Sequence, residues 1–154
     1  METQNQNWQM VAEIELIYKS KVKASERPQI KSSKDVYKLA IACWDPNKIE
    51  LFEQCKVLFL NQAYRVLGIY EISSGGITGT VVDLRLIFSA ALKANATSIM
   101  MIHNHPSGLL TASEVDKQIT KKVLQAGSIL KIALADSIII SSESYYSFAD
   151  DGAL

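Results

Sequence analysis

Ser98-Ile-Met-Met-Ile102-His103-Asn104-His105-Pro106-Ser107-Gly108, followed after a short loop by Ser113-Glu114-Val115-Asp116, is the stretch on which the reading of this chain turns. The sequence holds two histidines, and both stand here, two positions apart at the end of an apolar run. Ser98 to Ile102 reads as a buried strand. In an extended chain, side chains at i and i+2 share a face, so His103 and His105 aim two imidazoles at one point. Pro106-Ser107-Gly108 reads as a turn. Ser113 reads as a helix N-cap, which puts Asp116 in the first helical turn, beside the loop that leaves His105. Two neutral imidazoles and one carboxylate give zinc three of four tetrahedral ligands, the catalytic rather than the structural arrangement. One zinc per chain is therefore expected on His103, His105 and Asp116. Taken singly, a strand-end histidine is an ordinary half-buried polar group, and Ser113-x-x-Asp116 is an ordinary helix cap. Both histidines, the turn and the cap within one short window favour the metal reading.

Working outward, Asp83 caps a helix with Leu84, Ile87, Phe88, Ala91 and Leu92 on one face, directly before the histidine strand. The helix from Ser113 turns Val115, Ile119, Val123 and Leu124 inward and stops at Gly127. Ile129 to Ala135, Ser137 to Ser141 and Tyr145 to Phe148 read as short closing strands. Upstream, Val57 to Leu60 and Arg65 to Ile72 form a largely buried hairpin at the centre of the sheet. Gly75, Gly76 and Gly79 belong to a loop that serves as a turn or a wall of the site. Ala12 to Tyr18 alternates apolar and polar residues, as a half-buried strand does, and Lys19 to Lys34 is a polar, basic connection. Ser33 caps a helix through Val36, Leu39, Ala40 and Cys43. Residues 1 to 10 are rich in Gln and Asn and read as a flexible end. Strands alternating with helices indicate a layered α/β domain.

The 154 residues, 48% of them hydrophobic, suffice for one domain with a substantial core. Sixteen basic and sixteen acidic residues leave no net charge, so no global field attracts nucleic acid or anionic membrane. Cys43 and Cys55 lack ligand spacing and read as free thiols. No apolar run is long enough to span a bilayer. A soluble, cytoplasmic protein without membrane association is expected.

His103-x-His105-Pro106-x6-Ser113-x-x-Asp116 resembles the JAMM motif of the JAB/MPN metalloproteases, and His103-Asn104-His105-Pro106-Ser107-Gly108 resembles its RadC branch. The likeness extends through Leu58-Phe-Leu-Asn61, Ser73-Ser-Gly75-Gly76-Ile-Thr-Gly79-Thr80 and Tyr145-Tyr-Ser-Phe148. It implies one RadC-like domain over residues 11–154, with 11–50 as its N-terminal strand, basic connection and helix. It implies a three-layer, cytidine-deaminase-like architecture, a central mixed sheet flanked by helices. It also implies a glutamate base far upstream of the histidines. Glu53 is the candidate, Glu71 the main rival and Glu50 a weaker one. By the same resemblance Ser113 stabilises an oxyanion, in competition with its capping bond. Ala112 and Ala135-Asp136-Ser137 stand where the branch usually has Pro and Leu-Asp-His, and neither departure touches an expected ligand.

Zinc-dependent hydrolysis of an amide bond is the leading expectation, by a metallopeptidase or isopeptidase acting on a peptide or protein, with a ubiquitin-like tail as one candidate substrate. The RadC branch name points instead to DNA repair, and so to a nucleic-acid-binding protein or metal-dependent nuclease. Residues 1 to 50 have neither the length nor the Gly-rich hairpins of the helix-hairpin-helix module that long RadC proteins carry, which weakens the case for DNA. A deaminase of the same layered fold would show Pro-Cys-x-x-Cys after the histidines, and this sequence does not. A homodimer is compatible with the sequence, which marks no interface for one.

Overall fold

In a computed structural model, residues 10–15, 17–75 and 81–154 are described. The elements run α1 (Ser33–Cys43), β1 (Gln54–Leu60), β2 (Val66–Ser74), α2 (Leu84–Lys93), β3 (Ser98–Asn104), α3 (Glu114–Leu130), β4 (Ala133–Ile140) and β5 (Tyr145–Ser147), with a 3-10 turn at Ala24–Glu26. The five strands form one mixed sheet in the order β2-β1-β3-β4-β5. β3 pairs antiparallel with β1 and parallel with β4. The layers follow from the two-residue alternation of each strand. Val57, Phe59, Ile99, Met101 and Leu134 face Ile87, Phe88 and Ala91 of α2 and Val123 of α3. Leu58, Leu60, Met100, Ile102, Ile138 and Ile140 face Val36 and Ala40 of α1. The result is the three-layer α/β domain expected from the sequence, with β3 fully buried in its middle.

Each helix starts where its cap chemistry dictates. The Asp83 carboxylate accepts from Arg85 N at 2.9 Å and starts α2. α1 is capped one residue earlier than expected, at Ser32, where the Asp35 carboxylate accepts from the backbone N–H groups of Lys31 and Ser32. α3 does not stop at Gly127. It runs to Leu130 and closes on Lys131 in the left-handed conformation. Gly127 answers a different need, because a Cβ there would lie 2.2 Å from the Ile132 carbonyl oxygen as the chain turns back into β4.

Other expectations are corrected by tertiary context. Ala12 to Tyr18 shows no strand at its described residues. Ile14 is 86% exposed there and finds no face to bury against, so alternation alone did not make a strand. The hairpin forms, but β2 is an edge strand with Tyr70 exposed, and only β1 is interior. The connection before α1 is more ordered than its polarity suggests: Gln29 bridges to Arg65, and Ile30 is buried. Ala133–Ile140 is one continuous strand, with a register shift that leaves Ala135 unopposed. Ile129 and Leu130 belong to α3 rather than to a strand, and Leu92 and Val115 are exposed rather than inward. Gly76 and Gly79, and all but one of residues 1 to 10, lie outside the described residues. No described helix is long and apolar enough to cross a membrane.

Candidate metal centre

His103 and His105 reach the cleft between the sheet and the start of α3 by strand geometry. His103 is the penultimate residue of β3, and the chain stays extended one step further because His105 N donates to Ile140 O at 3.1 Å. Gly108 N then donates to His105 O at 3.0 Å, closing a turn with Pro106 at its second position and Gly108, φ +82°, at its fourth. His105 Nδ1 lies 2.7 Å from Leu109 O. A carbonyl only accepts, so Nδ1 carries the proton, and in the neutral ring Nε2 is left with its lone pair toward the cleft.

Asp116 arrives from the other side. At the start of α3 its Oδ2 accepts from Ser113 N at 2.8 Å, while Ser113 Oγ accepts from Asp116 N at 3.1 Å, a reciprocal capping box. The same carboxylate meets both histidines, with Oδ1 3.3 Å from His103 Nε2 and Oδ2 3.3 Å from His105 Nε2. The two Nε2 atoms are 3.2 Å apart. Bonds of ~2.0–2.1 Å to one small tetrahedral cation separate its ligand atoms by ~3.3 Å; the two Nε2 atoms have that spacing, and the carboxylate sets a separate oxygen against each of them. Among the described residues they form the one such cluster of His, Cys, Asp and Glu.

The cap corrects an expectation about Ser113. Its oxygen serves α3 as an acceptor, and its own O–H is not used in that bond. Capping and donation to a bound oxyanion therefore do not compete.

Of the three candidate carboxylates, Glu53 reaches the cluster. Its Oε1 is 3.6 Å from His105 Nε2, and its side chain is nearly buried. Glu71 is engaged elsewhere, accepting from Gln54 Nε2 at 2.6 Å. Glu50 borders the same cavity but accepts from Ser142 Oγ at 2.8 Å. Burial pushes the Glu53 carboxyl above its ordinary pKa and Asp116 adds to this, while His103 and His105 oppose it. Burial also pushes Asp116 upward, but the hydrogen bonds to His103 and His105 outweigh it and hold the carboxyl well below its usual range. The Asp116 hydrogen bond raises the pKa of His105 against the effect of its burial. Two neighbouring carboxylates are thus shifted in opposite directions, Glu53 upward and Asp116 downward.

A cavity of about 810 Å³ opens at the cluster. Leu51, Leu109 and Val115 stand exposed at its rim, and Met101, Thr120 and Ser137 form a buried floor. Cys55, opposite His103 on β1, also lines it. The thiol is pushed up to about 12 by burial and by the charges of Glu53 and Asp116, so it stays protonated. Sequence reasoning did not find the Leu109 carbonyl that orients His105, nor the buried amide of Asn104. The latter had a signal, since strand alternation turns residue 104 away from its neighbours.

Fold and cluster together define a layered α/β domain with a two-histidine, one-aspartate group that could hold a metal ion at the C-terminal end of a central strand. The model of the family described as RadC-like JAB domain matches residues 30–153, and the chain belongs to that family. A UPF0758 protein of Flavobacterium johnsoniae is 46% identical over 125 residues, covering 80% of this chain and 53% of that protein. A UPF0758 protein of Chlorobaculum parvum is 39% identical over 110 residues, 71% of this chain and 48% of the relative. One from Chlorobium chlorochromatii is 35% identical over 147 residues, 95% of this chain and 64% of the relative. The chain spans about half the length of the first two.

Proposed function

We propose that the domain is a zinc-dependent metallopeptidase or isopeptidase that hydrolyses an amide bond. The observation that carries the reading is the convergence of His103 Nε2 and His105 Nε2, 3.2 Å apart, with a separate Asp116 carboxylate oxygen 3.3 Å from each and the Glu53 carboxylate beside them. Bound zinc would polarise the scissile carbonyl and lower the pKa of water, the chemistry that amide hydrolysis at neutral pH needs. Glu53 would take the proton from the attacking water and return it to the leaving nitrogen, and its raised pKa suits a group that must do both. Ser113 has a free O–H with which to donate to the oxygen that gains charge. The exposed apolar rim of Leu51, Leu109 and Val115 suits a peptide segment. Cytoplasmic residence, where Cys43 and Cys55 stay reduced, belongs to the same reading.

The test is zinc-loaded protein incubated with a mixed peptide library, with new termini followed by mass spectrometry and Glu53→Gln as control. Cleavage by the parent chain and not by the variant supports the reading. Cleavage that survives both chelation and Glu53→Gln sinks it.

A further inference from the structure

Asn104 stands between the two histidines, and its side chain goes the other way. It is fully buried, where the chain joining α1 to β1 crosses the end of the sheet. Its Nδ2 donates to Ile49 O at 2.7 Å and to Phe52 O at 2.9 Å, while its Oδ1 accepts from Gln54 N at 2.7 Å. Two carbonyls and one N–H permit a single orientation of the amide. The Phe52 carbonyl and the Gln54 N–H belong to the peptide groups on either side of Glu53. One side chain therefore grips both planes that flank this residue and sets the direction in which Glu53 leaves the backbone. The ladder between β1 and β3 ends at the pair Cys55–His103, so Asn104 continues by side chain what the backbone no longer pairs. The other tether at this point is Gly75 N, which donates to Glu53 O at 3.0 Å.

We infer that Asn104 is a positioning residue, whose amide clamps the segment from Ile49 to Gln54 and so fixes the Glu53 carboxylate against the His103–His105–Asp116 group. The inference deepens the proposed function and rests on Glu53 as its base. The chemistry is particular to asparagine. Aspartate has no hydrogen to offer and would set charge against two carbonyl oxygens, glutamine carries its amide one carbon too far, and alanine does not reach. The short run from 103 to 105 thus supplies two ligands on one face and, from the other, the hold on the residue that completes the site.

The test uses the full chain loaded with zinc, as the parent and as Asn104→Asp and Asn104→Ala, with metal content and residue-resolved amide hydrogen exchange as readouts. Each variant should keep the parent's zinc and the slow exchange of β1 from Cys55 onward and of β3, while amides from Ile49 to Gln54 exchange about 10- to 100-fold faster, the size of a lost buried hydrogen bond. Peptide hydrolysis should fall in both variants, and neither should lower it further in a Glu53→Gln background. Unchanged exchange from Ile49 to Gln54 overturns the clamp, and an additional loss in the Glu53→Gln background overturns its action through Glu53. If the parent takes no zinc or cuts no peptide, the proposed function fails, and the exchange comparison on the metal-free chain still decides the clamp. Should neither variant fold, the side-chain amide protons of Asn104 in the parent decide it: slow exchange supports the clamp, and exchange at the rate of an exposed amide refutes it.

Discussion

Glu53 Oε1 lies 3.6 Å from His105 Nε2, although β1, β2, α2 and β3 separate the two residues along the chain. A carboxylate brought this close, but outside the His103–His105–Asp116 group, suits a proton carrier better than a ligand. Glu53→Gln should therefore leave zinc bound while lowering amide hydrolysis by about 100- to 10,000-fold, as loss of a general base does. Glu71→Gln should change hydrolysis little. Metal analysis and initial rates on one peptide check both, and a Glu53→Gln protein that loses its zinc would move Glu53 into the ligand set.

Metal content tests the His103–His105–Asp116 group itself. Protein purified without chelator should carry about one zinc per chain, and His105→Ala should remove it, since two remaining ligands hold an ion poorly. Chelation should lower the melting temperature of the parent protein and leave that of His105→Ala unmoved, because only a chain that binds the ion is stabilised by it.

Gly127→Ala tests the packing that turns α3 into β4. The added methyl would meet the Ile132 carbonyl oxygen at 2.2 Å, and backbone cannot step aside as a side chain can. A loss of about 1–3 kcal/mol is expected in urea unfolding, despite the better helix propensity of alanine. Gly68→Ala, where nothing lies within 4 Å, should change stability far less.

Asp136 gives the pH dependence of the fold. Burial raises its pKa, although Ser147 Oγ, Ala149 N and Ser137 N all donate to it. A raised folded-state pKa means that the native chain binds more protons than the unfolded one. Its contribution to stability is complete below the unfolded value of ~3.9 and is lost as pH rises through the folded one. Asp136→Asn keeps an acceptor for the two backbone N–H groups and removes the titration. The difference between the two stability curves should shift in favour of the variant as pH rises through that window, and parallel curves would refute the assignment.

DNA binding should be weak and non-specific. With sixteen basic and sixteen acidic residues, few phosphates are neutralised, and binding should vanish as salt rises. Retention at physiological salt, abolished by changing Lys19, Lys21, Lys23 and Arg27, would favour the nucleic-acid reading instead.

Local signals were readable because their physics is local. Two histidines at strand spacing, a serine cap and an aspartate one turn later place three side chains without knowledge of the rest of the chain, and they do converge. Asp83 was legible for the same reason. The position of β2 at the sheet edge was not, because hydropathy reports burial and not neighbour order. Ala12 to Tyr18 has the pattern of a strand, yet its described residues form none. The choice among Glu50, Glu53 and Glu71 depended on how the chain crosses the end of the sheet, which no window of sequence encodes. Glycine ends many helices, so Gly127 carries the signature of a stop, whereas here it makes room for the returning backbone.

The middle strand of the sheet carries one part of the site, and an irregular connection carries the other. β3 is bonded on both sides, so His103 opens only when the domain does, whereas Glu53 precedes the ladder between β1 and β3 and hangs on a few bonds at its end. On the proposed function, small changes between Ile49 and Gln54 would retune or disable proton transfer while leaving the His103–His105–Asp116 group in place. Relatives that keep the metal-binding letters but not this connection would then be metal-loaded and silent, scaffolds in the shape of an enzyme.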